Sequence, residues 1–259
     1  MEVSTRSVLL ADMTWPEARE AINDARVAII PVGSTEQHGP GMTLSTDIVL
    51  ASAVAERVAE AMRPHLVVAP SLPYGLSSHH MSFPGTITLS AATFGAVIKE
   101  VVSSLQSHGI DRFLLLNGHG GNQAALSVIA TGVSRELGVK MASALYLAGA
   151  NDFLQEQFGR TYAHACEIEA SVALAAAPTL VRTASLEKGE ELPSRYRHTA
   201  FSKGDLPAGP FVTTVAPFEE LTRKGNLGDP GKGTAELGEA IISLAVKRLT
   251  EFLEDFANV

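Results

Sequence analysis

Short apolar runs rich in β-branched residues alternate along this chain with longer stretches whose apolar positions recur at helical spacing. Val27–Val32 (VAIIPV) reads as a buried strand. Residues 47–63 follow with Ile48, Val49, Ala51, Ala55, Val58, Ala59 and Met62 in helical phase. A second strand is predicted at 66–69 and a helix at 91–108, where Phe94, Val97, Ile98, Val101, Val102 and Leu105 form the apolar side. The run RFLLL at 112–116 predicts a third strand, 123–137 a helix, and 140–147 a fourth strand. Residues 166–177 and 234–256 predict two further helices. Strand–helix alternation of this kind predicts an α/β fold, a parallel sheet covered on both faces.

No internal repeat or low-complexity tract interrupts the pattern. Residues 187–233 stand apart: rich in Pro, Gly and charge, with one weak strand-like piece at 211–215. A long irregular stretch of this kind is expected beside a functional site or at a subunit contact, not as a linker. The 259 residues, 46% of them hydrophobic, suffice for one sizeable domain spanning 1–259.

Charge narrows the functional classes. The net charge is −8, so the basic footprint of a nucleic-acid binder is missing. No apolar stretch is long enough to span a bilayer, and the start of the chain lacks the basic-then-apolar order of a signal peptide. The lone cysteine, Cys166, excludes an internal disulfide and a thiolate zinc site, and a reducing cytoplasmic setting is expected.

Polar clusters sit where strands should end, and in open α/β sheets ligands bind outside the C-terminal strand ends. After the first strand comes Gly33-Ser34-Thr35-Glu36-Gln37-His38-Gly39-Pro40, then Asp47 at the mouth of a helix. Two carboxylates and an imidazole suit a Zn, Mn or Fe site. The competing reading is a polar loop with Asp47 as a helix cap. After the third strand comes Asn117-Gly118-His119-Gly120-Gly121-Asn122; its glycines allow a sharp turn and close approach. It fails the dinucleotide fingerprint, because Gln123 stands where the last glycine is needed. His164-Ala165-Cys166-Glu167-Ile168-Glu169 enters a helix, so His164 and Glu169 can lean to one side. Acids in a first helical turn are also what the helix dipole favours. The loop Ser77-Ser78-His79-His80-Met81-Ser82-Phe83-Pro84-Gly85-Thr86 follows the second strand. Five of the eight histidines (His38, His79, His80, His119, His164) fall in these four segments.

Together these segments resemble the creatininase (creatinine amidohydrolase) family. The likeness is carried by Gly-Ser-Thr-Glu-Gln-His-Gly-Pro with the following Thr-Asp, His-x-x-Phe-Pro-Gly-Thr, Asn-Gly-His-Gly-Gly-Asn, His-Ala-x-x-x-Glu and the late Leu227-Gly228-Asp229-Pro230. Any one of these is weak; their joint order is specific. The resemblance implies a three-layer α/β sandwich, homo-oligomers up to hexamers, and two divalent metals. Glu36, Asp47 and His119 would hold one metal. His38, the bridging Asp47 and a further carboxylate would hold the other. In creatininase proper that carboxylate lies two residues after the histidine of Asn-Gly-His; here the position is Gly121, and Glu169 is the expected replacement. His164 would move protons, and Ser78, His80, Gly120 and Gly121 would contact a small amide substrate. The implied reaction is hydrolysis of a C–N amide bond by water activated at the metals. The only tryptophan, Trp15, is far from the motifs, which argues against creatinine itself. The alternatives are a peptidase trimming a cofactor-precursor peptide and a metal-dependent lyase or isomerase.

Overall fold

The computed structural model describes residues 6–159, 162–190 and 216–259. Four strands form one parallel sheet: β1 (Val27–Val32), β2 (Leu66–Val68), β3 (Arg112–Asn117) and β4 (Lys140–Leu145). Their spatial order is β2-β1-β3-β4. Ala28 lies beside Val67 on one side and Phe113 on the other, and Leu115 beside Ser143.

Seven α-helices occur among the described residues: α1 (Trp15–Asp24), α2 (Thr46–Ala61), α3 (Ala91–Ser107), α4 (Gln123–Leu137), α5 (Asn151–Phe158), α6 (Glu167–Ala176) and α7 (Ala235–Phe256). Alternate strand residues feed two separate cores. Val27, Ile29, Leu114 and Leu116 pack under α2, α6 and α7, against Leu50, Val54, Ile168, Ile241 and Ile242. Ala28, Ile30, Phe113 and Leu115 pack on the opposite face against Phe94 and Ile98 of α3 and Leu126 and Val133 of α4. The central strands are apolar on both faces because both faces are covered.

The expected three-layer α/β arrangement is therefore present, with differences of detail. The fourth strand ends at Leu145, because Tyr146–Ala150 turns into a 3-10 helix that carries the chain back over the sheet. Two helices, α1 and α5, have no counterpart in the hydrophobic pattern: each buries a single side chain, Ala21 and Leu154. The strand-like piece at 211–215 lies outside the described residues.

Topology places the site. From β1 the chain passes to β2 on one side, then returns to β3 on the other. The strand order reverses between β1 and β3, and at such a switch point the loops leaving the strand ends diverge and open a crevice. The loops after β1 and β3 both lead into it.

Candidate metal centre

Glu36 and His38 lie on the loop after β1, and Asp47 occupies the first turn of α2. The N-cap position of α2 is Ser45, so Asp47 is not the cap; its side chain is buried and turned towards His38. Gly33 and Gly118 make this convergence possible. A Cβ on Gly118 would lie 2.2 Å from the Asp47 carbonyl oxygen, and one on Gly33 2.7 Å from the backbone of Ile48. His119 is bracketed by two asparagines: Asn117 accepts from its N–H at 3.0 Å, and Asn122 donates at 3.0 Å to the Gly33 carbonyl, tying the two loops together.

Two trios of ligand atoms result. One oxygen or nitrogen each from Glu36, Asp47 and His119 lie within 4.8 Å of one another, and so do atoms of His38, Asp47 and Glu169. Asp47 belongs to both. A third trio joins Glu36, His38 and His164. All of these residues except the partly exposed His164 are buried.

The donor atoms fit metal ions on three counts. First, Glu36 Oε1 and Asp47 Oδ2 are buried carboxylate oxygens with no hydrogen-bond partner. Such an atom is costly unless a cation compensates it. Second, His38 Nδ1 sits 3.1 Å from the Glu36 carbonyl, and His119 Nε2 sits 3.2 Å from the Leu76 carbonyl. A carbonyl only accepts, so these nitrogens carry the protons and the opposite ring nitrogens present lone pairs. Those lone pairs face carboxylates: His38 Nε2 lies 3.0 Å from Asp47 Oδ1, and His119 Nδ1 lies 3.1 Å from Glu36 Oε1 and 3.3 Å from Asp47 Oδ2. A positive charge between each pair satisfies both partners. Third, the proton affinities of the two rings express the same demand. Burial works against a charged His38, but Asp47, then Glu169 and Glu36, push it up to about 10. Burial likewise opposes a charged His119, and Glu36 with Asp47 raises it well above the ordinary range.

Around this centre the supporting contacts are specific. Ser77 donates to Glu36 Oε2 at 2.5 Å and pairs with Ser34. Glu169 accepts from the Ala165 N–H, which fixes one of its oxygens. Ala165 holds a left-handed φ of 51° to make that bond, a conformation that costs an alanine roughly 1–2 kcal/mol. Burial pushes the Glu169 carboxyl up to about 7, opposed by His38 and reinforced by Asp47. Glu167, by contrast, accepts from the Asp229 N–H at 3.1 Å and belongs to none of the ligand trios. The segment Leu227-Gly228-Asp229-Pro230 thus buttresses the start of α6, with Leu227 N–H also donating to the His164 carbonyl at 2.9 Å.

His164 approaches from the side. Its Nε2 is 2.8 Å from the Gln37 carbonyl, and its Nδ1 is 3.7 Å from Glu36 Oε1. Burial, then His38, drives its pKa well below the ordinary value, so the ring is neutral. His80 is buried with Nε2 3.4 Å from Glu36 Oε1, and burial lowers it to about 4. Phe218 lies across both rings, at centroid distances of 4.2 and 4.8 Å.

The remaining expected residues lie further out. Gly120 and Gly121 are exposed at the mouth, and Ser78 is exposed beyond it. Gly121 has no room for a side chain here: a Cβ would lie 2.4 Å from His119 Nε2 and 2.8 Å from His79 Cε1. Ser77, Asn117, Asn122 and Phe218 add to the expected residues. The asparagines border the Asn-Gly-His motif, whereas nothing near Phe218 in sequence marks it. Cys166 is buried and its thiol is pushed up to about 11 by burial and by Glu169, which makes it inert.

Comparison with known proteins shows the family. The profile of the Creatininase family, described as creatinine amidohydrolase, matches residues 11–253. The chain is 32% identical over 249 residues to the mycofactocin precursor peptide peptidase of Mycobacterium ulcerans, covering 93% of this chain and 86% of that protein. It is 40% identical over 122 residues to the creatinine amidohydrolase of Pseudomonas putida, covering 44% of this chain and 46% of that one. A putative creatinine amidohydrolase from Bacteroides fragilis superposes with a TM-score of 0.85 at 26% identity, covering 99% and 98% of the two chains. Creatininase structures superpose at TM-scores of 0.79 to 0.80, and one of them is named as a Zn–Zn type and another as a Mn form. The chain belongs to the creatininase (creatinine amidohydrolase) family.

Proposed function

We propose that this chain is a hydrolase of C–N amide bonds that works with two divalent ions, Zn, Mn or Fe. Glu36, Asp47 and His119 would hold one ion and His38, Asp47 and Glu169 the other. The observation that carries this reading is the pair of ligand trios sharing Asp47, with two of their carboxylate oxygens unpartnered. Ions bound there would supply an activated water at neutral pH and polarise the substrate carbonyl.

The chain's own groups supply the rest. His164 is the proton carrier: with Nε2 against the Gln37 carbonyl, Nδ1 is free to take a proton and to give it to the leaving nitrogen. The N–H groups of Gly120 and Gly121 would stabilise a developing oxyanion. His80 and Ser78 would line the approach of the substrate. Phe218, packed on the rings of His80 and His164, would keep water from them. We read the whole chain, 1–259, as one such unit, assembling as a homo-oligomer as the family resemblance implies.

Two substrate classes remain distinct. One is a small or cyclic amide or a formamide. The other is a peptide bond, favoured by the relatives that match most of the chain, which are named as peptidases of a cofactor precursor. The deciding experiment loads purified protein with Zn or Mn, counts bound metal, and screens formamides, cyclic amides and short peptides for release of amine. Close to two equivalents and release from one class supports the proposal. A chain that takes up no metal after loading refutes it.

A further inference from the structure

Gln37 lies between two proposed ligands, Glu36 and His38, yet its side chain turns away from the metal positions and into the histidines. It is buried, and every polar atom of it is engaged. Oε1 accepts from the Gly39 N–H at 2.9 Å, and Nε2 donates to the Gly225 carbonyl at 2.7 Å. A backbone N–H only donates and a carbonyl only accepts, so these two contacts fix which end of the amide is oxygen. The approach depends on Gly225, because a Cβ there would lie 2.0 Å from Gln37 Oε1.

One amide proton remains, and two imidazole nitrogens compete for it. His80 Nδ1 is 2.9 Å and His164 Nε2 is 3.0 Å from Gln37 Nε2. The Gln37 backbone resolves the competition: its carbonyl, 2.8 Å from His164 Nε2, needs a proton on that nitrogen. His164 then cannot accept, and the second amide proton goes to His80 Nδ1. In a neutral imidazole the other nitrogen carries the hydrogen, so His80 is protonated at Nε2, which lies 3.4 Å from Glu36 Oε1 without hydrogen-bonding it.

We propose that Gln37 is a positioning residue that sets both tautomers, holding His80 as the Nε2–H form and His164 as the form with an open Nδ1 lone pair. A donor and an acceptor therefore point into the same side of the site, at 3.4 and 3.7 Å from Glu36 Oε1. His80 is kept from binding a metal, since its site-facing nitrogen has no lone pair. His164 keeps, outside the two trios that share Asp47, an imidazole nitrogen that can receive a proton. The consequence for turnover rests on the hydrolase reading above; the tautomers themselves do not.

The test is nitrogen NMR of the histidine rings in full-length, ¹⁵N-His-labelled, zinc-loaded protein, assigned with His80→Gln and His164→Asn. Wild type should show His80 protonated at Nε2 and unprotonated at Nδ1, and His164 protonated at Nε2. In Gln37→Glu, position 37 only accepts, so His80 should switch to the Nδ1–H form. In Gln37→Met, which offers no donor, the His80 preference should collapse to a mixture. Both variants should keep their metals, and kcat on an identified amide should fall roughly 10- to 100-fold with KM little changed. Wild-type His80 in the Nδ1–H form, or bound to zinc through Nε2, overturns the proposal without any variant. So does an unchanged His80 tautomer in folded Gln37→Glu. Tautomers as stated in a protein that hydrolyses no amide would instead refute the hydrolase reading and leave Gln37's role intact.

Discussion

Glu167 and Glu169 stand two residues apart at the start of one helix, and their surroundings separate them. Glu169 reaches His38 and Asp47, whereas Glu167 is held by the Asp229 N–H. Spacing in the sequence leaves both available, because both suit the positive end of a helix. What separates them is the left-handed turn at Ala165, which no residue type announces. Glu169→Gln should therefore lose about one metal equivalent while Glu167→Gln loses none, since removing a ligand empties its position and removing a helix-end contact does not. Metal counts on the two folded variants check this, and the reverse pattern moves the ligand. Asp47→Ala should be more damaging than His38→Ala, because Asp47 stands in both trios. Retention of two metals in folded Asp47→Ala contradicts the bridging role. The phase of the serine loop was also illegible: Ser77 rather than Ser78 faces Glu36, because a 3-10 turn over Ser78–His80 rotates the neighbouring positions apart.

At the scale of elements, strong periodicity was legible and weak burial was not. The strands of the sheet and the helices α2, α3, α4, α6 and α7 bury enough side chains to mark the sequence, whereas α1 and α5 bury one each. Helix α1 did leave a different signal, the capping pair Thr14 and Glu17 with Pro16 at its start. Close approach between helices is likewise invisible until they pack. Gly238 on α7 lies so near α6 that a Cβ would sit 1.9 Å from the Ser171 carbonyl oxygen. Gly238→Ala must force the two helices apart, and a cost of about 1–3 kcal/mol is expected. Gly132, on the exposed side of α4, is the control: a Cβ there meets nothing within 4 Å. Gly132→Ala should stabilise by about 0.5–1 kcal/mol through better helix propensity. Urea midpoints of the two variants decide the matter; equal and small shifts would mean that α6 and α7 are not packed this tightly.

For the whole molecule, the fold collects at one point groups that the sequence scatters. Glu36 and His38 come from the loop after β1, Asp47 from the first turn of α2, His119 from the loop after β3, and Glu169 from α6 beyond the sheet. Each motif alone reads as a polar turn at a strand end, and only the reversal of strand order between β1 and β3 makes them neighbours. The price of that meeting is three buried carboxylates within one cluster, two of whose oxygens have no hydrogen-bond partner. Folding without ions therefore buries mutual repulsion, and ions that bind only the folded arrangement must stabilise it. One site at a free metal concentration of a hundred times its dissociation constant contributes about 2.7 kcal/mol. For a chain of this size each kcal/mol moves the melting temperature by roughly 2–4 °C. Stripping the protein with a chelator should thus lower its melting temperature by at least about 5 °C, and added Zn or Mn should restore it. Asp47→Ala, with the shared ligand gone, should melt at one temperature with or without chelator. A wild type indifferent to chelation would mean that the cluster is not a metal centre, and an equal chelator effect in Asp47→Ala would place the stabilising ion elsewhere on the molecule.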